Sequence, residues 1–115
     1  MTTTFNLTSL LEYYYQSLNG LVPNFSVEDF SYLNGELMLL LNVQNAVDSE
    51  ELHFLMFDNT YNVIAHNIYG QDVCGAYVYG DLRVVDNIDT KIMINGAFGS
   101  SHNLFFLNEQ GQQIN

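Results

Sequence analysis

The chain has 115 residues, 48% of them hydrophobic, which suits one domain whose core needs no disulfide or metal. The chain contains thirteen acidic residues and two basic ones, Arg83 and Lys91, which gives a formal net charge of −11. This charge argues against direct binding to nucleic acid or an anionic membrane, and every apolar run is far shorter than the roughly 20 residues that span a bilayer.

The first predicted element is a short amphipathic helix over residues 8–19. Ser9 and Glu12 have the spacing of a capping box, and Asn19 followed by Gly20 is a stop signal. Apolar side chains recur every three or four residues and form one face, made of Leu7, Leu11, Tyr14, Tyr15 and Leu18. Tyr13 lies outside that face, and we expect it to be partly exposed.

From about residue 24 the hydrophobic pattern has period two, which predicts strands. Phe25 and Val27 alternate with polar residues, and Asn34-Gly35 predicts a tight turn. Residues 36–43 are apolar at almost every position, which is typical of a central strand buried on both faces.

An acidic connection is predicted over residues 47–51, followed by a hairpin. Its strands are residues 52–57 and 63–68, and its turn is the polar segment 58–62. Beyond Gly70 we predict short strands over residues 76–79, 82–85, 91–94 and 103–107, with a last short one near Gln113 and Ile114. The turn signals between them fall at residues 79–81, 86–87, 95–96, 99–100 and 110–111.

Strands at this spacing favour an antiparallel β-sandwich or partly open barrel, with the helix packed on its edge or end. We therefore predict one acidic, mainly β domain over residues 1–115. The predicted core consists of Leu11, Tyr14, Leu18, Phe25, Leu37, Leu39, Leu41, Phe54, Val63, Ile64, Val84, Ile92, Ile94 and Phe105.

Catalytic and metal-binding patterns are incomplete in this sequence. Cys74 has no neighbouring cation to lower the pKa of its thiol, so we expect an unreactive cysteine in a reducing, cytoplasmic setting. His53 and His66 fall on the two predicted hairpin strands, where we expect them to face solvent or to be hydrogen-bonded rather than to join Asp58 in a metal site.

Two loops resemble the start of a ligand-binding motif but lack residues that the motif requires. Residues 58–62 begin like a calcium loop, but Val63 and Tyr69 stand where that loop requires Gly and Glu. Residues 96–99 lack the Lys-Ser/Thr that follows a phosphate-binding loop. We predict a protein that is not an enzyme and binds neither a cofactor nor a metal.

Binding residues are expected among two groups of acids. The first is Asp48, Glu50 and Glu51 in the acidic connection, which Glu28 and Asp29 can join in space. The second consists of turn residues with an aromatic neighbour, namely Asp81, Asp86, Asp89 and Tyr79.

The favoured hypothesis is a small acidic inhibitor that occupies the basic surface of a nucleic-acid-binding protein, its carboxylates standing where phosphates would lie. Phage anti-restriction and anti-CRISPR proteins and toxin-immunity proteins act in this manner, an analogy that rests on size and charge alone. The alternative is a structural or assembly subunit of a homo-oligomer or phage particle. A hydrolase built on Cys74 or on a carboxylate pair ranks last.

Overall fold

The computed structural model describes residues 5–46, 49–74 and 78–114. This part of the chain is mainly β, as predicted, and has one N-terminal helix. The elements in chain order are α1 (Leu7–Asn19), β1 (Asn24–Leu33), β2 (Glu36–Ala46), β3 (Ser49–Phe57), β4 (Val63–Cys74), β5 (Val78–Val84), β6 (Ile92–Phe98) and β7 (Ser101–Leu107).

The strands form two antiparallel sheets in which neighbours along the chain are neighbours in space. One has four strands in the order β1-β2-β3-β4, and the other has three in the order β5-β6-β7. The four-stranded sheet packs against the three-stranded sheet on its inner face and against α1 on its helix face. Within the described residues, no helix is both long and apolar enough to pass through a bilayer.

Strand β2 separates the two cores, as its apolar run predicts. Leu37, Leu39 and Leu41 belong to the cluster under α1, while Met38 and Leu40 belong to the cluster between the sheets. All five side chains are buried. Alternate residues of a strand point to opposite faces, so a strand covered on both sides must be apolar at consecutive positions.

Helix α1 starts two residues before the predicted capping box. Asn6 is the N-cap, and its side-chain oxygen accepts a hydrogen bond from the Ser9 N–H at 3.0 Å. The prediction that Ser9 and Glu12 cap the helix was wrong, because Asn6 already satisfies the free N–H of the first turn. Gly20 ends the helix in the left-handed conformation, as predicted.

The apolar face of α1 is narrower than predicted. Leu11 and Tyr15 are buried and Tyr14 is half-buried, whereas Tyr13 is 75% exposed, in line with its prediction. Leu18 was predicted in the core but is 50% exposed, since it lies in the last turn, beyond the sheet cluster that α1 covers.

Asn34 and Gly35 connect β1 to β2 in the predicted tight turn. Both have positive φ angles, 54° and 80°. A two-residue turn of this type needs positive φ at both central positions, which Asn and Gly tolerate best. The turn pairs Leu33 with Glu36 and so fixes the register of the hairpin.

Two predicted turns, at Gly80 and at Gly96, were wrong. These glycines lie within β5 and β6 and pair directly with each other. A Cβ on Gly80 would stand 2.6 Å from the carbonyl oxygen of Asn95, and one on Gly96 would stand 3.1 Å from a side-chain carbon of Leu52. Asn95 belongs to the paired strand β6 and Leu52 to the opposite sheet, so glycine serves close packing at both positions and not a turn. Both strands therefore continue through the predicted turns.

Other strand boundaries and burial predictions also need correction. Strand β3 begins at Ser49, so Glu50 and Glu51 lie in a strand and not in a connection. Strand β4 continues through Gly70, whose φ of 71° accompanies a register shift. Ile64 and Val84 were predicted in the core but are 44% and 45% exposed, because they lie on edge strands near the ends of the sandwich.

Strand β5 crosses the inner face of the four-stranded sheet. At its start, the carbonyl oxygen of Val78 accepts a hydrogen bond from Asn42 on β2. Further along, the Leu82 N–H donates to the Asp29 carboxylate on β1 at 2.7 Å. The Asp29 side chain thereby satisfies a backbone donor of an edge strand and joins the two sheets at this corner.

Candidate functional site

The structure separates the acids that the sequence grouped together. Glu50 and Glu51 are adjacent on β3, so their side chains lie on opposite faces of the sheet. Asp48 lies outside the described residues, as does the side chain of Cys74. The Asp29 carboxylate accepts a hydrogen bond from the Leu82 N–H, whereas Glu28 lies at a bulge in β1.

Glu50 belongs to a polar depression at one end of the inner face. The depression has a volume of about 270 Å³. We call this depression the polar bay. Its lining side chains come from three neighbouring strands and are those of Asn24, Ser26, Asn42, Gln44 and Glu50, with Phe25 at the rim.

The sequence of β2 explains why the bay lies at this end. Inner-face positions are apolar at Met38 and Leu40 and become polar at Asn42 and Gln44, while the helix face remains apolar through Val43. The inner core therefore stops at Leu40, and the polar side chains beyond it line an open depression.

Hydrogen bonds hold Asn42 and Glu50 in fixed orientations. Asn42 Nδ2 donates to Glu50 Oε1 at 2.6 Å and to the Val78 carbonyl oxygen at 2.6 Å. The Val78 N–H also donates to Glu50 Oε1, at 3.4 Å. Both protons of the Asn42 amide are thus used, and the carboxylate is positioned by side chain and backbone together.

Glu51 lies on the helix face and is buried. Its Oε1 is 3.2 Å from His53 Nε2, and His53 is only 3% exposed. Glu51 is the one buried acid among those whose side chains are described, so a role in contacting a partner does not fit its position. It serves as a polar contact in the interior.

His53 and His66 were predicted to face solvent or to be hydrogen-bonded, and they are hydrogen-bonded under α1. The Tyr15 hydroxyl lies 2.7 Å from His53 Nδ1, and the Tyr14 hydroxyl lies 2.8 Å from His66 Nδ1. His66 Nε2 is 2.9 Å from His53 Nδ1. These residues, together with Glu51, form what we call the tyrosine–histidine network.

One arrangement of protons satisfies the whole network. His53 donates from Nε2 to Glu51, so the single lone pair of its Nδ1 is shared between two donors, the Tyr15 hydroxyl and His66 Nε2. His66 Nδ1 then accepts from the Tyr14 hydroxyl. Neutral imidazole has one donor and one acceptor nitrogen, which this arrangement uses on both rings.

Burial keeps the two imidazoles neutral. It lowers the pKa of His53 to about 4, and it lowers the pKa of His66 to about 4 together with the adjacent His53. Burial also raises the pKa of the Tyr14 and Tyr15 hydroxyls, so both remain donors near neutral pH. The contact between His53 and Glu51 is consequently a hydrogen bond from a neutral ring.

The second predicted group of acids lies partly on an exposed loop. This segment, residues 85–91, is called the acidic loop here. It connects β5 to β6 and is closed by a hydrogen bond from the Val85 N–H to the Lys91 carbonyl oxygen at 2.9 Å. Asp86 and Asp89 are exposed, and Ile88 between them is 90% exposed.

Tyr79 and Asp81 lie apart from the acidic loop, on the outer face of the three-stranded sheet. Tyr79 is 42% exposed, and Asp81 is half-buried. The Asp81 carboxylate is 4.0 Å from the Arg83 guanidinium, and both groups are accessible to solvent. Exposed pairs of this kind contribute little to stability.

The segment that begins like a calcium loop is a self-contained turn. Asp58 Oδ1 accepts hydrogen bonds from the N–H groups of Thr60 and Asn62, both at 2.9 Å. These bonds, led by that from Asn62, lower the pKa of the Asp58 carboxyl. In the described residues, no three His, Cys, Asp or Glu side chains converge as a metal site requires.

Three features of the structure were not identified from the sequence, namely the exposed Ile88, the polar bay and the tyrosine–histidine network. Ile88 between Asp86 and Asp89 was visible as an apolar residue inside a polar turn. The change from Leu40 to Asn42 was also visible, as a break in the inner-face pattern of β2. The tyrosine–histidine contacts join residues 38 and 52 positions apart, and no local pattern indicates them.

Comparison with protein-family models, with curated proteins and with solved structures found no match for this chain.

Proposed function

We propose that this protein binds a basic protein, and that the partner is a nucleic-acid-binding protein whose cationic surface it occupies. The observation that carries the proposal is the combination of exposed carboxylates with very few cations. Ten of the eleven acids with described side chains are exposed or half-buried, against two cations in the whole chain. A potential of one sign attracts oppositely charged partners over about 10 Å at moderate salt.

The acidic loop is the preferred contact region. Ile88 offers an exposed apolar side chain, with Asp86 and Asp89 on either side of it. Interfaces commonly combine an apolar anchor that becomes buried with charged residues at the rim that select the partner. The loop is short and closed by a backbone hydrogen bond, so little conformational entropy is lost on binding.

Capture of the partner tests the proposal. The immobilised protein is exposed to lysate at low salt, and retained proteins are eluted by a salt gradient and identified. We expect a basic nucleic-acid-binding protein that elutes as salt rises and that duplex DNA displaces. Retention of no basic protein at low ionic strength contradicts the proposal.

Paired variants locate the contact. Ile88→Ala is compared with Leu21→Ala, since Leu21 is 77% exposed at a different place. The double variant Asp86→Asn, Asp89→Asn is compared with a control double variant, Glu12→Gln, Glu109→Gln. The control removes the same amount of charge from other exposed sites. We expect each loop variant to weaken capture about tenfold or more, corresponding to about 1.4 kcal/mol, and each control to change it much less.

The exposed aromatic residues of β1 favour a second candidate, a subunit of a homo-oligomer. Phe30 and Tyr32 are each 61% exposed on this edge strand of the four-stranded sheet. A second copy that covered them would bury apolar area at a sheet edge. Native mass at low and high salt tests this: a defined oligomer at both supports it, and a monomer at both contradicts it.

A further inference from the structure

The polar bay has an unusual balance of hydrogen-bonding groups. The two protons of the Asn42 amide go to Glu50 Oε1 and to the Val78 carbonyl oxygen. The Ser26 hydroxyl proton goes to Glu28 Oε2, at 3.3 Å. Asn42 and Ser26 therefore use their donors inside the protein and offer a ligand only acceptors, whereas Asn24 and Gln44 retain both donors and acceptors.

The remaining acceptors sit on groups that cannot easily turn away. In the described part of the chain, no donor reaches Asn42 Oδ1 or Glu50 Oε2. The orientation of the Asn42 amide is fixed by its chemistry, because both atoms that its nitrogen contacts are acceptors. The carboxylate is likewise held through Oε1, so Oε2 is oriented before any ligand arrives.

We infer that the polar bay binds a guanidinium group, as the side chain of an arginine or as a free small guanidine. A guanidinium is a planar cation with five N–H donors and no acceptor, which complements fixed acceptors on two separate side chains. The volume of about 270 Å³ is just below the usual range of small-ligand pockets, roughly 300–1,000 Å³, and suits one side chain rather than a cofactor.

Charge adds to this complementarity. Glu50 supplies a carboxylate inside the bay, and Glu28 places another beside Ser26 at its edge. Glu50 Oε2 and Asn42 Oδ1 can each accept one N–H of a planar guanidinium, whose donors have fixed directions that the donors of an ammonium group lack. Lysine is consequently expected to bind the bay less tightly than arginine does.

Titration with small probes, followed by NMR, tests the inference directly. The probes are Nα-acetyl-arginine methylamide, its neutral citrulline analogue, the matching lysine compound, and n-propylguanidine. The signals to follow are the side-chain amides of Asn24, Asn42 and Gln44. We expect saturable shifts with the arginine compound, binding at least about fivefold weaker for lysine, and no saturable shift with citrulline, whose side chain carries no charge.

Variants then assign the site. Glu50→Gln retains the acceptor for Asn42 but removes the charge, and Glu12→Gln makes the same change on the exposed surface of α1. We expect Glu50→Gln to weaken the arginine probe about tenfold and Glu12→Gln less than twofold. Equal effects of the two variants, or equal binding of arginine and citrulline by the native chain, overturn the inference. The citrulline comparison needs no variant and holds even if Glu50→Gln fails to fold.

Two further comparisons separate the sources of the guanidinium and the two proposals. n-Propylguanidine carries the same single charge as the acetylated arginine compound. Equal binding of the two indicates a free small guanidine, whereas preference for the arginine compound indicates an arginine within a polypeptide. The inference does not depend on the acidic loop. If the chain binds arginine but captures no basic protein, the inference about the polar bay stands and the proposed function is contradicted. If it captures a basic protein but does not bind arginine, the proposed function stands and the inference is contradicted.

Discussion

The hydroxyl of Tyr15 on α1 lies 2.7 Å from Nδ1 of His53 on β3, and both side chains are buried. This contact fixes the helix at one position on the sheet, because a polar group in the interior needs its partner. Apolar side chains beneath α1, such as Leu39 and Leu55, provide burial but no comparable directional constraint.

Removal of the Tyr15 hydroxyl is expected to lower stability modestly. In Tyr15→Phe the ring remains, and His53 Nδ1 keeps its contact with His66, so the free energy of unfolding should fall by about 0.5–1.5 kcal/mol. Urea denaturation measures the loss. Tyr13→Phe is the control, because Tyr13 is largely exposed and should change stability by less than about 0.5 kcal/mol. Equal losses in the two variants would refute a role for the buried bond.

The buried histidines predict a loss of stability in mild acid. Both have a pKa of about 4 in the folded protein, against the ordinary value of 6.5 in the unfolded chain. The unfolded state therefore binds more protons between these values. Stability is fully present above about pH 6.5 and falls as the pH is lowered towards 4.

Urea denaturation at several pH values between about 7.5 and 4 checks this trend against two variants. His53→Gln combined with His66→Gln should flatten the pH dependence, whatever its stability at neutral pH. His102→Gln, at an exposed position of β7, should leave the slope unchanged. A double variant with the native slope would show that other groups, such as carboxylates, cause the dependence.

Helix capping offers a test of where α1 begins. Asn6→Ala removes the side-chain acceptor for the Ser9 N–H and should cost about 1 kcal/mol. Ser9→Ala removes a side chain that does not cap the helix and should change stability by less than about 0.5 kcal/mol. Thermal or urea unfolding distinguishes the two, and the reverse order of effects would restore the capping box that the sequence suggested.

Close packing around Gly80 makes this position sensitive to substitution. A Cβ there would approach the Asn95 carbonyl oxygen to 2.6 Å, and backbone in a paired strand cannot move aside easily. Gly80→Ala should reduce stability by about 1–3 kcal/mol, as measured by urea denaturation. Ser100→Ala, in the exposed turn between β6 and β7, is the comparison and should have little effect. An unchanged stability in Gly80→Ala would mean that the space between Gly80 and the Asn95 carbonyl oxygen is less tightly filled than in this structure.

Much of the fold follows from local sequence patterns. The continuous apolar run of β2 indicated a strand covered on both sides, and Asn34 with Gly35 indicated the turn before it. Glycine misled where its role was packing: Gly80 and Gly96 look like turn residues in the sequence, yet they face each other inside a sheet. To distinguish a packing glycine from a turn glycine, one must know which atoms of the paired strand and of the opposite sheet lie beside it.

The candidate sites were harder to predict because they depend on which face each side chain occupies. Glu50 and Glu51 are adjacent and chemically alike, yet one lines the polar bay and the other is buried under α1. The sequence predicted a connection over residues 47–51, whereas β3 already begins at Ser49 and includes both acids. Successive side chains of a strand point to opposite faces, which separates the two.

Because β2 contributes to the clusters on both faces of the four-stranded sheet, the two sides should open in a definite order. Detachment of α1 uncovers Leu39 and Leu41 but leaves Met38 and Leu40 under the second sheet. Separation of β2 from its neighbours, in contrast, dissolves both clusters together. Amide protons of α1 should therefore exchange with solvent deuterium through local opening, while those of β2 await global unfolding.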